Sequence, residues 1–159
     1  MKNSQDLARF IEEQGITAEM IHLSVETPTV EAAALAVNAH PEQIGKSILF
    51  LAAGQPRLVI ANGLTRVDYR QLADYLGLSW RRVKLAGAAE VLAITGYPVG
   101  TVPPFGHNQK LPAVIEAGVM EQEILYVGGG EINALVRLAT VELKRVVDGP
   151  VVSLNQLSA

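Results

Sequence analysis

The amino-acid sequence predicts an α/β chain of the α+β kind: a single domain with a mixed, curved, barrel-like β-sheet surrounded by helices. Three observations carry this expectation. The chain has 159 residues, 49% of them hydrophobic and 18% charged, which suits one domain with one sizeable core. Strand-like and helix-like segments alternate irregularly, with more strands than a simple doubly wound sheet uses. No internal repeat, low-complexity run or linker divides the chain, so residues 1–159 read as one domain.

The elements follow in order. Residues 4–14 place Leu7, Ala8, Phe10 and Ile11 at helical spacing, and Gly15 stops the pattern. A strand is predicted over Met20 to Leu23. Thr27 is placed as the cap of a second helix with Pro28 at its first position, and Val30, Ala33, Ala34 and Val37 form its apolar stripe up to Pro41. IGKSILFLAA, from Ile44, is apolar at both parities, and RLVIAN, from Arg57, follows a turn at Gly54-Gln55-Pro56. These read as adjacent central strands. Asp68 begins a helix, with Gln71 as its capping-box partner, Leu72, Ala73, Tyr75 and Leu76 inside, and Gly77 at its end. Another helix covers Ala88 to Ile94. Pro112 to Glu116, Glu123 to Val127 and Ala134 to Leu138 are predicted strands, a helix spans Val141 to Val147, and the Gly149-Pro150 turn leads into a short tail.

Composition closes off several functions. Cysteine is absent, which excludes a disulfide framework, a thiolate nucleophile and thiolate-bound zinc. Net charge is −3, so a long electropositive surface for duplex nucleic acid is not expected. The densest basic cluster, Arg81, Arg82 and Lys84, reads as a solvated face or a small nucleic-acid contact. The first residues lack an apolar leader core, and the apolar runs are far shorter than the ~20 residues that span a bilayer. A cytoplasmic protein without membrane contact is the expectation.

Candidate chemistry centres on two segments. Gly96 to His107 reads GYPVGTVPPFGH, where Gly96, Gly100 and Gly106 permit unusual backbone angles or close approaches and Pro98, Pro103 and Pro104 fix φ. The result is a rigid loop with open backbone, the kind that carries binding sites. Gly45-Lys46-Ser47 has the end of a phosphate-loop pattern, but position 40 is His40 rather than glycine and the chain after Lys46 continues as a strand, so a nucleotide triphosphatase is rejected. Lys46 shares a strand face with Ile44, Ile48 and Phe50. Either it snorkels past them to water, or its ammonium stands at a pocket mouth to hold an anionic or carbonyl-bearing ligand.

The remaining polar features say less. His22, His40 and His107 lack the close spacing of a helix-borne metal pair, so no metal is expected. His107 ends the rigid loop and is either a participant in chemistry or a turn terminator. Gly128 to Gly130 either offers amides to an anion or turns the chain. No G-x-S-x-G elbow is present, and Glu12-Glu13, Glu121 and Glu123 do not form a carboxylate pair.

Lys46 within IGKSILF, the segment RVDYRQLADYLG, GYPVGTVPPFGH and the strand entering Gly128-Gly129 together resemble, in order, the YbaK/ProX family over residues 25–147. That family comprises freestanding aminoacyl-tRNA deacylases related to the editing domain of bacterial prolyl-tRNA synthetases. Its lysine matches Lys46 and its glycine-x-x-x-proline element matches Gly100 to Pro104, with Pro103 standing where many relatives carry a small residue. The resemblance implies a mixed fold with a barrel-like sheet and hydrolysis of the ester on a mischarged tRNA, of the Ala- or Cys-tRNA(Pro) type. It implies attack by water assisted by a ribose hydroxyl, without a cofactor.

On this resemblance the catalytic positions are Lys46 and Gly100. The substrate-binding positions are Gly96, Tyr97, Thr101, Pro103, Pro104, Gly106, His107, Gly128 and Gly129. The partner is the acceptor end of aminoacyl-tRNA, reached through Arg81, Arg82, Lys84 and Lys110, with a synthetase or elongation factor assisting delivery. A catalytically silent module binding an aminoacyl ligand or a protein, and a hydrolase of small amino-acid esters, are the alternative readings.

Overall fold

Glycine at position 45 decides how the two halves of the molecule meet. In the computed structural model, which describes residues 1–155, a Cβ on Gly45 would lie 2.6 Å from Leu125 Cδ2 and 3.0 Å from Val127 Cγ1. Only a bare backbone lets the strand beginning there cross so close to its neighbour. An isolated parallel bridge between Ile44 and Tyr126 marks the same corner.

The mixed α+β fold expected is the one observed, with its strands divided between two sheets that meet at this corner. β1 (Ala18–His22), β7 (Ala134–Ala139) and β6 (Ile124–Gly128) form an antiparallel sheet in the order β1-β7-β6. The other sheet has the order β4-β2-β3-β5-β8, built from β2 (Gly45–Ala52), β3 (Gln55–Asn62), β4 (Val83–Leu85), β5 (Ala113–Glu116) and β8 (Val151–Val152). β3–β5 and β5–β8 are parallel and the other pairs antiparallel. The single bridge at Ile44 gives the assembly its barrel-like curve, but the sheets do not close.

Strand periodicity sorts β2 and β3 between two apolar layers. Leu49, Leu51, Leu58 and Ile60 point between the sheets into the main core with Leu125, Val127, Val136 and Leu138. Phe50, Ala52 and Val59 face outward against Leu72 and Ala73 of α3 (Tyr69–Leu76). A fully buried leucine or isoleucine such as Leu58 or Ile60 contributes on the order of 2 kcal/mol. This is why two strands apolar at both parities sit mid-sheet.

Helix ends show where local signals suffice and where tertiary contacts intervene. α1 (Ser4–Glu13) is capped by Asn3, whose side chain accepts from Gln5 N and Asp6 N while Asp6 accepts from Asn3 N. α2 (Val30–Val37) starts two residues later than expected, because Thr29 rather than Thr27 caps it. Both the amide and the hydroxyl of Thr27 donate instead to Ile132 O, tying the segment to the β6–β7 turn. Asp68 caps α3 as predicted, but Gln71 makes no capping box; its amide donates to Asn155 O. α4 (Ala88–Thr95) and α5 (Thr140–Val147) complete the helices among the described residues, with 3₁₀ turns at Pro41–Gln43, Trp80–Arg82 and Ala117–Glu121. Among the described residues, no helix is long and apolar enough to cross a membrane.

Two short strands escaped the sequence reading. β4 has three residues, two of them exposed, and β8 has two, so neither is long enough to show alternation. Residues 151–155 are nonetheless built in, and the rest of the predicted tail lies outside the described residues. Leu154 is fully buried, Asp68 N donates to its carbonyl, and its own amide donates to the buried carboxylate of Glu116 at 2.6 Å.

Candidate functional site

The loop from Gly96 to His107 is held by hydrogen bonds of its own and by others to α4, the N-terminal segment and the β6–β7 turn. The Thr95 hydroxyl donates to Val91 O and accepts from Tyr97 N, which anchors the loop to the end of α4. Thr101 closes a turn on Pro98 O through both its amide and its hydroxyl. Its carbonyl accepts from Gly130 N, and His107 Nε2 lies 2.7 Å from Pro103 O. Residues 101–106 are all buried. Gly100 has φ +88° with nothing within 4 Å of a built Cβ, so this position needs glycine for its backbone angle and not for space.

Gly128 is required for the opposite reason. Its φ is unremarkable, but a Cβ there would meet Val102 O at 2.6 Å and Thr101 O at 2.9 Å. The end of β6 therefore lies flush against the loop's backbone. Gly129 serves the turn that follows: a Cβ would lie 2.5 Å from Ala134 C, and its amide donates to Ala134 O.

These contacts leave a cavity of ≈ 180 Å³ between the loop, the start of β2, the first turn of α2 and the ends of β6 and β7. Lys46, Ser47, Gly100, Gly128, Val30 and Ala33 are among the residues lining it. Lys46 is the second residue of β2, at the strand's open end, paired with Ala61 of β3. It is half-buried, and loss of water lowers its pKa from the ordinary lysine value. Among the described residues the only ion pairs are Arg9–Asp6 and Arg145–Glu142, so no carboxylate neutralises Lys46. Beside it the buried Ser47 hydroxyl has no hydrogen-bond partner. Sequence periodicity missed Ser47 because it alternates onto the face opposite Lys46, although both reach the cavity.

The remaining candidate positions lie elsewhere on the loop. Pro104, Gly106 and His107 line a separate cavity of ≈ 310 Å³ with Phe10, Lys110 and Arg145. That cavity is the roomier of the two, yet it contains neither Lys46 nor Gly100. His107 is mostly buried there; desolvation lowers its pKa, opposed by the bond to Pro103 O and reinforced by Lys2. Tyr97 is fully buried, its hydroxyl unpartnered and its pKa pushed up to about 12, first by burial and then by Asp6. Gly96 ends α4 with φ +88°, and its carbonyl accepts from Lys2 N. Thr101 and Pro103 shape the loop from within. The structure thus brings Lys46, Gly100 and Gly128 together around one cavity and sends His107 to another.

The model of the aminoacyl-tRNA editing domain matches residues 24–146, which span the loop, Lys46 and the glycines of β6. The chain belongs to the aminoacyl-tRNA editing domain family. Membership implies a deacylase role with aminoacyl-tRNA as the substrate class. A crystal structure of a candidate trans-editing enzyme for prolyl tRNA synthetase is similar over 97% of both chains, with a TM-score of 0.91 and 28% identity. The uncharacterized protein YwhH of Bacillus subtilis (strain 168) is 25% identical over 126 residues, 79% of this chain and 78% of its own length. The proline--tRNA ligase of Desulfotalea psychrophila (strain LSv54 / DSM 12343) is 30% identical over 137 residues, 84% of this chain. The editing-domain chain spans only 23% of that ligase's length.

Proposed function

We propose that this chain is a cytoplasmic trans-editing hydrolase that removes a wrongly attached small amino acid, alanine or cysteine, from tRNA of the proline type. The observation that carries this reading is Lys46: a half-buried ammonium with no carboxylate partner, in a cavity walled by Gly100 and Gly128. An unneutralised cation in a partly desolvated pocket is arranged for an electron-rich ligand. A cavity of ≈ 180 Å³ is below the ~300 Å³ at which drug-sized ligand pockets begin, which suits a small aminoacyl group.

Lys46 holds the terminal nucleotide or the ester carbonyl, and the charge that develops on that carbonyl falls between its ammonium and the Gly100 amide. The Gly100 amide donates to no protein acceptor among the described residues. The residues lining this cavity include no carboxylate, imidazole or thiol. In keeping with the mechanism the family resemblance implies, water is the nucleophile and the neighbouring ribose hydroxyl of the substrate assists it, so that catalysis rests on orientation and charge stabilisation. Val30 and Ala33 bound the space left for the side chain, and an editing site of this kind discriminates by size.

Deacylation of a panel of mischarged tRNAs tests the reading. The expected result is release of alanine or cysteine from proline-type tRNA, with Lys46→Ala lowering the rate by roughly 10²-fold or more, the effect of losing one charge-stabilising donor. Unchanged turnover in Lys46→Ala would remove Lys46 from the mechanism. Absence of release from every tRNA, with binding of an aminoacyl-adenosine amide intact, would instead favour a silent binding module.

A further inference from the structure

Away from the cavity, one surface combines the chain's single tryptophan with its densest positive charge. Trp80, on the turn between α3 and β4, is 39% exposed. The guanidinium carbons of Arg70 and Arg81 lie 4.5 and 5.1 Å from its ring centroid, and Tyr69 stands 6.2 Å away at 57°. Beneath them runs a groove of ≈ 340 Å³ floored by Phe50 and Val83 and edged by Lys84 and Leu85. Arg70, Arg81, Arg82 and Lys84 are exposed, and none is in an ion pair among the described residues. Asp68, two residues before Arg70, is engaged in capping α3.

Four unpaired cations around exposed aromatic rings, on a chain whose net charge is −3, select a polyanion that also carries flat π-faces. We propose that this groove is a binding surface for unpaired nucleotides of an RNA strand, with a base stacked at Trp80 and the flanking phosphates held by the arginines and Lys84. The base takes the place of one guanidinium over the indole, and the displaced arginine turns to a phosphate. Aromatic side chains and arginine planes both stack on bases, whereas a purely apolar partner would have to desolvate the guanidinium groups. β4 is the edge of its sheet, and Lys84 on it discourages pairing with a foreign strand.

The placement joins this surface to the cavity. Phe50 and Lys46 lie on one face of β2, four residues or about 13 Å apart along the strand, and Phe50 pairs with Leu85 of β4. That separation is one that a few nucleotides of single strand can span. In this respect the proposal rests on the tRNA reading of the cavity and adds a second contact to it.

Trp80 reports on the surface by its own fluorescence, since no other tryptophan is present. The intact chain is titrated with hexa-adenylate, inorganic polyphosphate of equal charge and hexaglutamate. Quenching by hexa-adenylate, with far weaker effects of the other two, is expected. By anisotropy with labelled hexa-adenylate, Trp80→Ala should weaken binding about tenfold, the scale of one lost stack, and Trp80→Phe should retain most of it. Arg81→Gln should reduce the slope of log affinity against log salt by about 0.7.

No quenching by hexa-adenylate, or equal binding of polyphosphate or hexaglutamate, overturns the proposal, the last pointing to an acidic protein partner. Undiminished binding by Trp80→Ala overturns it as well. If Trp80→Ala shifts thermal unfolding, the Trp80→Phe and Arg81→Gln measurements decide. Hexa-adenylate carries no aminoacyl ester, so failed deacylation with intact stacking counts against the hydrolase reading alone.

Discussion

At the scale of single residues, buried polar atoms give the sharpest expectations. His107 stays largely uncharged at neutral pH because burial lowers its pKa. Its unfolded form protonates first, near 6.5, so stability rises with pH between the folded pKa and 6.5 and is lost as pH falls through that window. Thermal unfolding measured from pH 7.5 downward should show this loss, and His107→Gln should flatten it. Tyr97 carries a hydroxyl with no partner in a fully buried setting. Tyr97→Phe is expected to raise stability by about 1 kcal/mol, because an unsatisfied buried hydroxyl is removed while the ring stays. Urea denaturation of the two proteins measures this. Lys46 was legible in the sequence as a charge on an apolar strand, and its family likeness gave it a role. Ser47 was not, since nothing in a period-2 pattern shows that the residue after Lys46, on the opposite face, also borders the cavity.

Among the elements, those with long periodic patterns were readable and those fixed by partners were not. The central strands β2 and β3 follow from runs apolar at both parities, and α1 follows from its cap and stripe. The start of α2 was misplaced because Thr27 and Thr29 are equal as local caps; the choice between them is made by Ile132, over a hundred residues away. β4 and β8 exist because neighbouring strands accept them. The C-terminal segment shows how firmly such pieces are held. Glu116, 2% exposed, accepts from Gly118 N and Leu154 N and so joins β5 to the residues after β8. Glu116→Gln sets a carboxamide NH2 donor against a backbone N–H where an acceptor is needed and should cost roughly 1–3 kcal/mol, read as a lower urea midpoint with an unchanged slope.

For the whole molecule, charge and architecture separate affinity from chemistry. A net charge of −3 repels RNA at a distance, so the proposed RNA contact rests on the few exposed cations near Trp80. With about three phosphates neutralised, KM on full-length mischarged tRNA should rise steeply with salt, at a log–log slope of roughly 2 to 3, while kcat changes little. Steady-state kinetics between low and moderate salt provide the check, and a kcat that falls in step with 1/KM would place the salt effect in the cavity itself. The two-sheet division was the part of the architecture that sequence concealed. Each sheet alternates correctly by itself, and only the bare backbone at Gly45 shows how they meet.

The cavity's walls are of two unlike kinds. Toward the loop they are main chain, with Gly128 lying against the carbonyls of Thr101 and Val102. Toward α2 they are the side chains of Val30 and Ala33, which belong to a small satellite cluster apart from the main core. A substitution on the backbone wall disturbs the fold, whereas one on the α2 wall trims or widens the space and spares the core. On the proposed function, changes confined to this one short helix alter which amino acid the cavity admits, while Lys46 stays where it is.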